Sequence, residues 1–159
     1  MNLWDTRLLL RSAWVALVAT SCAAAAAALD EGGLYIAGAG FDFQTTAERA
    51  LAQNTGGRRF FLLSLPPETA ALLANATGPP ATLRDRVAAA SGVLLVCQRD
   101  IDSGKIRADG LVPVVVAVRG WPPAGSNDSA PGQRHFAGEN PAHLPAANEA
   151  LRQLRSTCS

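Results

Sequence analysis

The stretch Val93-Leu94-Leu95-Val96-Cys97 is an unbroken apolar run that ends in a cysteine. Such a run is typical of a strand buried on both faces, as in a parallel sheet covered by helices. In open α/β sheets, ligands and reacting groups gather outside the carboxyl ends of the strands. The run therefore predicts a central strand that carries its cysteine to the edge of the sheet where chemistry is usually found.

Similar apolar segments alternate with helix signals along the rest of the chain. We predict strands at 34–37, 60–65, 93–97 and 112–118, and helices at 45–54, 68–76, 83–91 and 146–157. Thr45 with Glu48 has the spacing of a capping box, and Gly92 follows the third helix where a C-terminal glycine is common. The order predicts a three-layer α/β sandwich with a mostly parallel sheet of four to five strands and a C-terminal amphipathic helix.

The N-terminal segment has the composition of a secretory signal. Arg7 and Arg11 form a basic region, and an alanine-rich apolar stretch, 13–28, follows it. This stretch is short for a bilayer span of about 20 residues. We predict cleavage after Ala28 and export to the periplasm, with membrane attachment only if the segment stays uncleaved or Cys22 is lipidated. The remaining organisation is an α/β domain at 29–121, a Pro/Gly-rich loop at 122–143 and a C-terminal helix at 144–159.

Charge and size limit the kinds of partner. Removal of residues 1–28 takes away one acid and two bases, so the formal net charge falls from +1 to zero. A neutral domain lacks the electrostatic footprint that nucleic acid requires, and we expect no nucleic-acid partner. About 131 residues remain, which is enough for one domain with a real core.

Two cysteines remain in the exported chain, and they leave three alternatives open. Cys97 is a reactive nucleophile if a nearby cation such as Arg99, or the helical turn after the strand, favours its thiolate. It is otherwise an inert buried cysteine, or it forms a disulfide with Cys158, as an oxidising compartment permits. Cys97 is the one residue that we predict to be catalytic.

The other candidate sites have weak signals. Gly38-x-Gly40 follows the first strand but lacks the third glycine of a dinucleotide loop and the Gly-Lys of a phosphate loop. Asp42 in the same loop is either a capping acid or part of a site. His135 and His143 have no helical pairing and no clustered acids, whereas a zinc site needs three or four convergent ligands. We therefore predict no metal and no cofactor.

The segment that follows Cys97 resembles a known family. The cysteine-ending strand, a polar crossing and then Ile106-x-x-Asp109-x-Leu111-Val112-Pro113-x-Val115 are similar to the DsrE/DsrF-like (YchN-like) family over roughly 34–121. The resemblance implies a small α/β sandwich that forms homo-oligomers. It also implies that Cys97 accepts sulfur as a persulfide, through attack of its thiolate on a donor persulfide. On this basis the expected function is sulfur or thiol handling by an exported, sulfurtransferase-like carrier.

A second resemblance points to a different class of function. The stretch Phe60-Phe61-Leu62-Leu63-Ser64-Leu65-Pro66, followed by a helix and a later Val-Pro-Val strand, is similar to TrbC-type envelope proteins of conjugative transfer systems. It implies a thioredoxin-like, non-enzymatic assembly or interaction module with a protein partner in the envelope. A bond between Cys97 and Cys158 would favour this alternative, and a free Cys97 would favour sulfur handling.

Overall fold

The computed structural model of the chain describes residues 31–122 and 134–159. Within them, four parallel strands form one sheet in the order β1-β2-β3-β4, with helices on both faces and a C-terminal helix. The predicted α/β architecture is thereby confirmed. The signal segment at 1–28 and the part of the predicted loop at 123–133 lie outside the described residues.

The strands and helices follow one another as alternating units. The strands are Leu34–Ala37 (β1), Phe60–Ser64 (β2), Gly92–Cys97 (β3) and Val115–Val118 (β4). The α-helices are Phe43–Gln53 (α1), Pro79–Ala89 (α2), Gln98–Asp102 (α3) and Asn148–Thr157 (α4). Short 3₁₀ turns lie at Glu68–Leu72, Ala108–Gly110 and Pro141–His143.

Each face of the sheet packs against a different layer. Phe60 and Leu62 of β2 face the core shared with α1 and α2, whereas Phe61 and Leu63 face the core shared with α4. Sequential strands joined by right-handed crossovers place their connecting helices on one face, which leaves the other face for α4. Because both faces are covered, all five β2 residues are buried, and the strand reads as an apolar run that ends in the buried Ser64.

Several element ends differ from the sequence predictions for local reasons. Helix α1 begins at Phe43 because the Asp42 carboxylate, rather than Thr45, caps it by accepting from the Thr45 N–H at 2.7 Å. Strand β4 begins only at Val115, because the Val112 N–H donates to Leu72 O, at the end of the Glu68–Leu72 3₁₀ turn, rather than to β3. The helix predicted at 68–76 is confined to that turn.

The junction between α2 and β3 gives Gly92 a role other than the predicted helix cap. Ser91, with φ of 67°, occupies the left-handed position after the helix, and Gly92 is the first residue of β3. A Cβ on Gly92 would lie 2.5 Å from Val87 Cγ1 and 2.7 Å from Phe60 Cζ. Gly92 is therefore required for the close approach of α2 and β2 rather than for helix termination.

Candidate functional site

Cys97 lies at the carboxyl end of β3, where the sequence predicted it, and it is bonded to Cys158. The side chain is 0% exposed and faces the α4 layer, opposite Val118 of β4. The Cα atoms of the two cysteines are 5.1 Å apart, although 61 positions separate them in sequence. Of the three alternatives left open by the sequence, the structure contains the disulfide.

The surroundings of Cys97 do not activate a thiolate. A disulfide sulfur carries no titratable thiol, and the buried position keeps donors in solution away from it. Arg99, the cation expected to assist, donates its guanidinium hydrogen bond to the carbonyl oxygen of Ser159. The geometry thus gives no support to Cys97 as a nucleophile, and its catalytic role stays a prediction.

The bonded cysteines form part of a close contact between the end of β4 and the end of α4. A Cβ on Gly120 would lie 2.3 Å from the Cys158 carbonyl group, so only glycine allows this approach. The Trp121 N–H donates to Ser159 Oγ at 2.8 Å, and that hydroxyl donates to Arg155 O at 2.8 Å. The disulfide therefore belongs to a packed junction rather than to an open cleft.

Arg155 of α4 is the centre of a buried polar network beside this junction. Its side chain is 0% exposed, and its two terminal nitrogens bond the Glu139 carboxylate at 3.0 and 2.6 Å. The same nitrogens donate to the carbonyl oxygens of Arg119 at 3.0 Å and Arg134 at 2.9 Å. One side chain thus joins α4, the end of β4 and the segment that precedes the Pro141–His143 turn.

Two aromatic rings complete the surroundings of this guanidinium. Its central carbon lies 4.2 Å from the centroid of Phe136 and 5.7 Å from that of Trp121, distances suited to cation–π attraction. Phe136 is buried, so the described part of the predicted loop, 134–143, is folded against the domain. Sequence reasoning missed this network because it joins residues from three distant segments.

The pair formed by Glu139 and Arg155 has a consequence for pH dependence. Burial alone would raise the pKa of Glu139, but the hydrogen bonds from Arg155 and from the Phe136 N–H, with the Arg155 charge, outweigh it and lower that pKa. The folded chain therefore holds Glu139 as a carboxylate more strongly than the unfolded chain does.

Acidification is expected to remove the contribution of this carboxylate. Because the folded pKa is lowered, the stabilisation is fully present above the unfolded pKa and is lost as the pH falls through the folded pKa. The difference in unfolding free energy between the wild type and Glu139→Gln, measured by urea titration at a series of pH values, should shrink as the solution becomes acidic. A difference that persists unchanged in acid would contradict this assignment.

Glu31 forms a second junction that the sequence did not indicate. Its carboxylate pairs with Arg59 Nη2 at 2.5 Å and accepts the Ala146 N–H at 3.0 and 2.7 Å and the Ala147 N–H at 3.3 Å. These amides lie at the start of α4, where a negative charge complements the helix dipole. Glu31 thus fixes the beginning of α4, as the disulfide fixes its end.

The remaining sequence candidates are dispersed. Gly38 and Gly40 both have positive φ, and the Gly38 N–H donates to Phe41 O. These two glycines therefore form a tight turn between β1 and α1. His143 lines a polar groove of about 350 Å³ beside β4, whereas His135 Nδ1 is buried without a hydrogen bond to the described residues. Over 31–122 and 134–159, the structure has no group of three acidic, histidine or cysteine side chains placed to hold a metal.

A larger groove lies at the carboxyl edge of the sheet. It has a volume of about 850 Å³, and the segments after β2 and β3 line it, including Pro66, Leu73, Lys105 and Ile106. Neither Cys97 nor either histidine contributes to it. This groove occupies the place where α/β folds bind ligands, and Thr69, Lys105 and Asp109 supply its hydroxyl, amine and carboxylate groups.

Comparisons with known proteins add no assignment. The chain matches no family model, no curated protein and no solved structure. The resemblances to DsrE-like and TrbC-type proteins therefore stay predictions. No helix in the part of the chain that the structure describes is long and apolar enough to cross a membrane.

Proposed function

We propose that this chain is a non-enzymatic interaction module of the cell envelope. The observation that carries the proposal is the bond between Cys97 and Cys158, since it engages the one residue for which the sequence predicted chemistry. The cysteine is completely buried, and Arg99, two positions further on, donates to the carbonyl oxygen of Ser159. A disulfide-bonded Cys97 offers no thiolate for sulfur transfer, and this favours a role carried by the surfaces of the domain.

The position of α4 supports this proposal. An amphipathic C-terminal helix can dock either on its own domain or on a partner. Leu151 and Leu154 are buried against the sheet, and Glu31, Arg155 and the disulfide fix the helix along its length. Because the apolar stripe of α4 packs on the domain, this stripe is not the surface that a partner uses.

The proposed location is the periplasm. The predicted signal segment favours export, and a disulfide between two distant cysteines is stable in an oxidising compartment. Assembly of an envelope complex, for example in a conjugative transfer system, agrees with the second resemblance at Phe60-Phe61-Leu62-Leu63-Ser64-Leu65-Pro66. The partner in this proposal is a protein, with neither nucleic acid nor a cofactor involved.

Exposure of the exported protein to a polysulfide donor tests this proposal against sulfur handling. We expect the intact mass of the wild type to stay unchanged, because Cys97 offers no thiolate to attack the donor. The matched control is Cys158→Ser, which frees Cys97 and shows whether the donor is active towards a thiol in this domain. A persulfide on Cys97 of the donor-treated, unreduced wild type would instead show sulfur acceptance and refute the proposed function.

A further inference from the structure

Strand β1 is an edge strand, and half of its backbone groups point away from the sheet. The Phe61 N–H donates to Gly33 O, and the Leu65 N–H donates to Ala37 O. In a parallel ladder, alternate residues bond the neighbouring strand. This alternation directs the N–H and C=O groups of Leu34 and Ile36 to the open side, where the described chain places no further strand.

A groove of about 310 Å³ runs along this open edge. Its floor is the 34–36 segment, and its walls come from both helical layers: Thr45, Thr46 and Arg49 on α1, and Gln153 on α4. Phe41 closes one part of the groove and is 56% exposed, although large apolar side chains usually find cover. The groove combines unpaired backbone groups with apolar contact surface, the two requirements for adding a strand.

Within the described residues, the edge shows none of the features that usually protect an edge strand from pairing. Natural edge strands carry lysine, proline, a bulge or an inward-pointing charge. The sequence of β1, Leu34-Tyr35-Ile36-Ala37, contains no charge and no proline, and it pairs with β2 in continuous register. An unprotected edge in an exported protein is a pairing surface that a partner can use.

The charge of the groove selects the chemistry of its occupant. Arg49 is exposed on the α1 wall and forms no ion pair with the residues that the structure describes. Side chains of an added strand alternate between its two faces. One set would therefore lie against α1 and Arg49, and the other set would lie against Leu34, Ile36 and the α4 side.

The walls of the groove favour a single extended strand over a second copy of the domain as its occupant. The walls that hold Arg49 and Gln153 flank the edge from opposite faces of the sheet. A second copy would bring its own α1 and α4 against these walls, whereas a lone extended segment brings only side chains. The groove thus fits a strand that carries no helices beside it.

We propose that the β1 edge binds an extended segment of a partner protein in which acidic and apolar residues alternate. The acidic residues pair with Arg49, the apolar residues contact Leu34, Ile36 and Phe41, and the main chain bonds the free groups of Leu34 and Ile36. This inference rests on the proposed function and names the surface and the partner chemistry through which it acts.

The test uses a short acetylated and amidated peptide in which valine alternates with aspartate or glutamate. On the exported protein, we expect saturable binding together with slower hydrogen exchange at the Leu34 and Ile36 amides. The Tyr35 amide, which the ladder directs towards β2, should exchange at an unchanged rate. The same peptide with alternate amides methylated should not bind, because it cannot bond the strand.

Two charge-reversal variants distinguish recognition of the acidic peptide by Arg49 from a general attraction between the peptide and the charge of the protein. Arg49→Glu should weaken binding of the acidic peptide by about fivefold and favour a peptide with lysine in place of the acids. Arg86→Glu makes the same charge change on an exposed position of α2 that does not line the groove, and it should leave the affinity unchanged.

Either of two other results would overturn the proposal. Unchanged exchange at Leu34 and Ile36 in saturating peptide would show that the edge does not accept a strand. Protection of both amides in the protein alone, rising with its concentration alongside the molecular mass, would show that a second copy occupies the edge. Both results leave the interaction-module proposal standing, since sulfur acceptance by Cys97 tests that separately.

Discussion

Replacement of both Cys97 and Cys158 by alanine is expected to lower the free energy of unfolding by about 4 kcal/mol. The bond closes a span of 61 positions, and release of a loop of this size increases the entropy of the unfolded chain. Urea unfolding of the exported wild type and of the double variant, followed by circular dichroism without reductant, measures the difference.

A reductant provides the control for this prediction. Added to the unfolded wild type before refolding, it should bring the unfolding midpoint close to that of the double variant, while the variant itself should not respond. Equal midpoints for the wild type and the variant without reductant would mean that the two cysteines are not joined in the exported protein.

Arg155→Leu is expected to lower the free energy of unfolding by about 3–5 kcal/mol, as removal of one partner from a buried ion pair does. The variant keeps an apolar side chain at the site but leaves the carbonyl oxygens of Arg119 and Arg134 without the guanidinium donor, and the Glu139 carboxylate keeps only the Phe136 N–H and loses its cation. Buried polar groups without partners destabilise the folded chain. Urea unfolding near neutral pH measures the loss.

A second arginine of the same helix gives the matched control. Arg152 pairs with Glu149 at 3.0 Å, but its side chain is 64% exposed, so Arg152→Leu should change the stability by less than about 1 kcal/mol. The double variant Arg155→Leu, Glu139→Leu should recover part of the loss, because it removes the unpaired carboxylate. Similar losses for Arg155→Leu and Arg152→Leu would show that the network does not hold the C-terminal region.

The sheet could be predicted from the sequence because burial on both faces leaves a direct signal. The segment 93–97 is a continuous apolar run and 60–65 is interrupted only by Ser64, and the helix signals between them favour parallel crossovers. The amphipathic stripe of the C-terminal helix likewise predicted an apolar face that packs against another surface, but not whether that surface belongs to the domain or to a partner. The position of Cys97 at the carboxyl edge followed from the same strand assignment.

The bonding of Cys97 could not be decided from the sequence. Pairing with Cys158 depends on how α4 crosses the sheet, and no local pattern encodes a contact between residues 61 positions apart. The contact of Glu31 with the start of α4 has the same origin, since it joins residues 115 positions apart. Such contacts arise from tertiary packing and cannot be predicted from the spacing of residues in a motif.

The first residues of α1 and β4 are set by single hydrogen bonds that the sequence pattern could not predict. Asp42 and Thr45 are both good capping residues, and the structure uses Asp42, whose carboxylate accepts the Thr45 N–H at 2.7 Å. The Val-rich segment 112–118 reads as one strand, yet the Val112 N–H bonds Leu72 O and delays the strand to Val115. The polarity pattern is the same in either case.

The central claim, that Cys97 is structural, is tested most directly by mapping the cysteines of the exported protein. Cells are quenched in acid, free thiols are alkylated, and peptides that contain Cys97 and Cys158 are identified by mass spectrometry without reductant. We predict a single cross-linked species that joins Cys97 to Cys158, with no alkylated Cys97. An alkylated or persulfide-bearing Cys97 in the freshly exported chain would contradict the claim and favour sulfur handling.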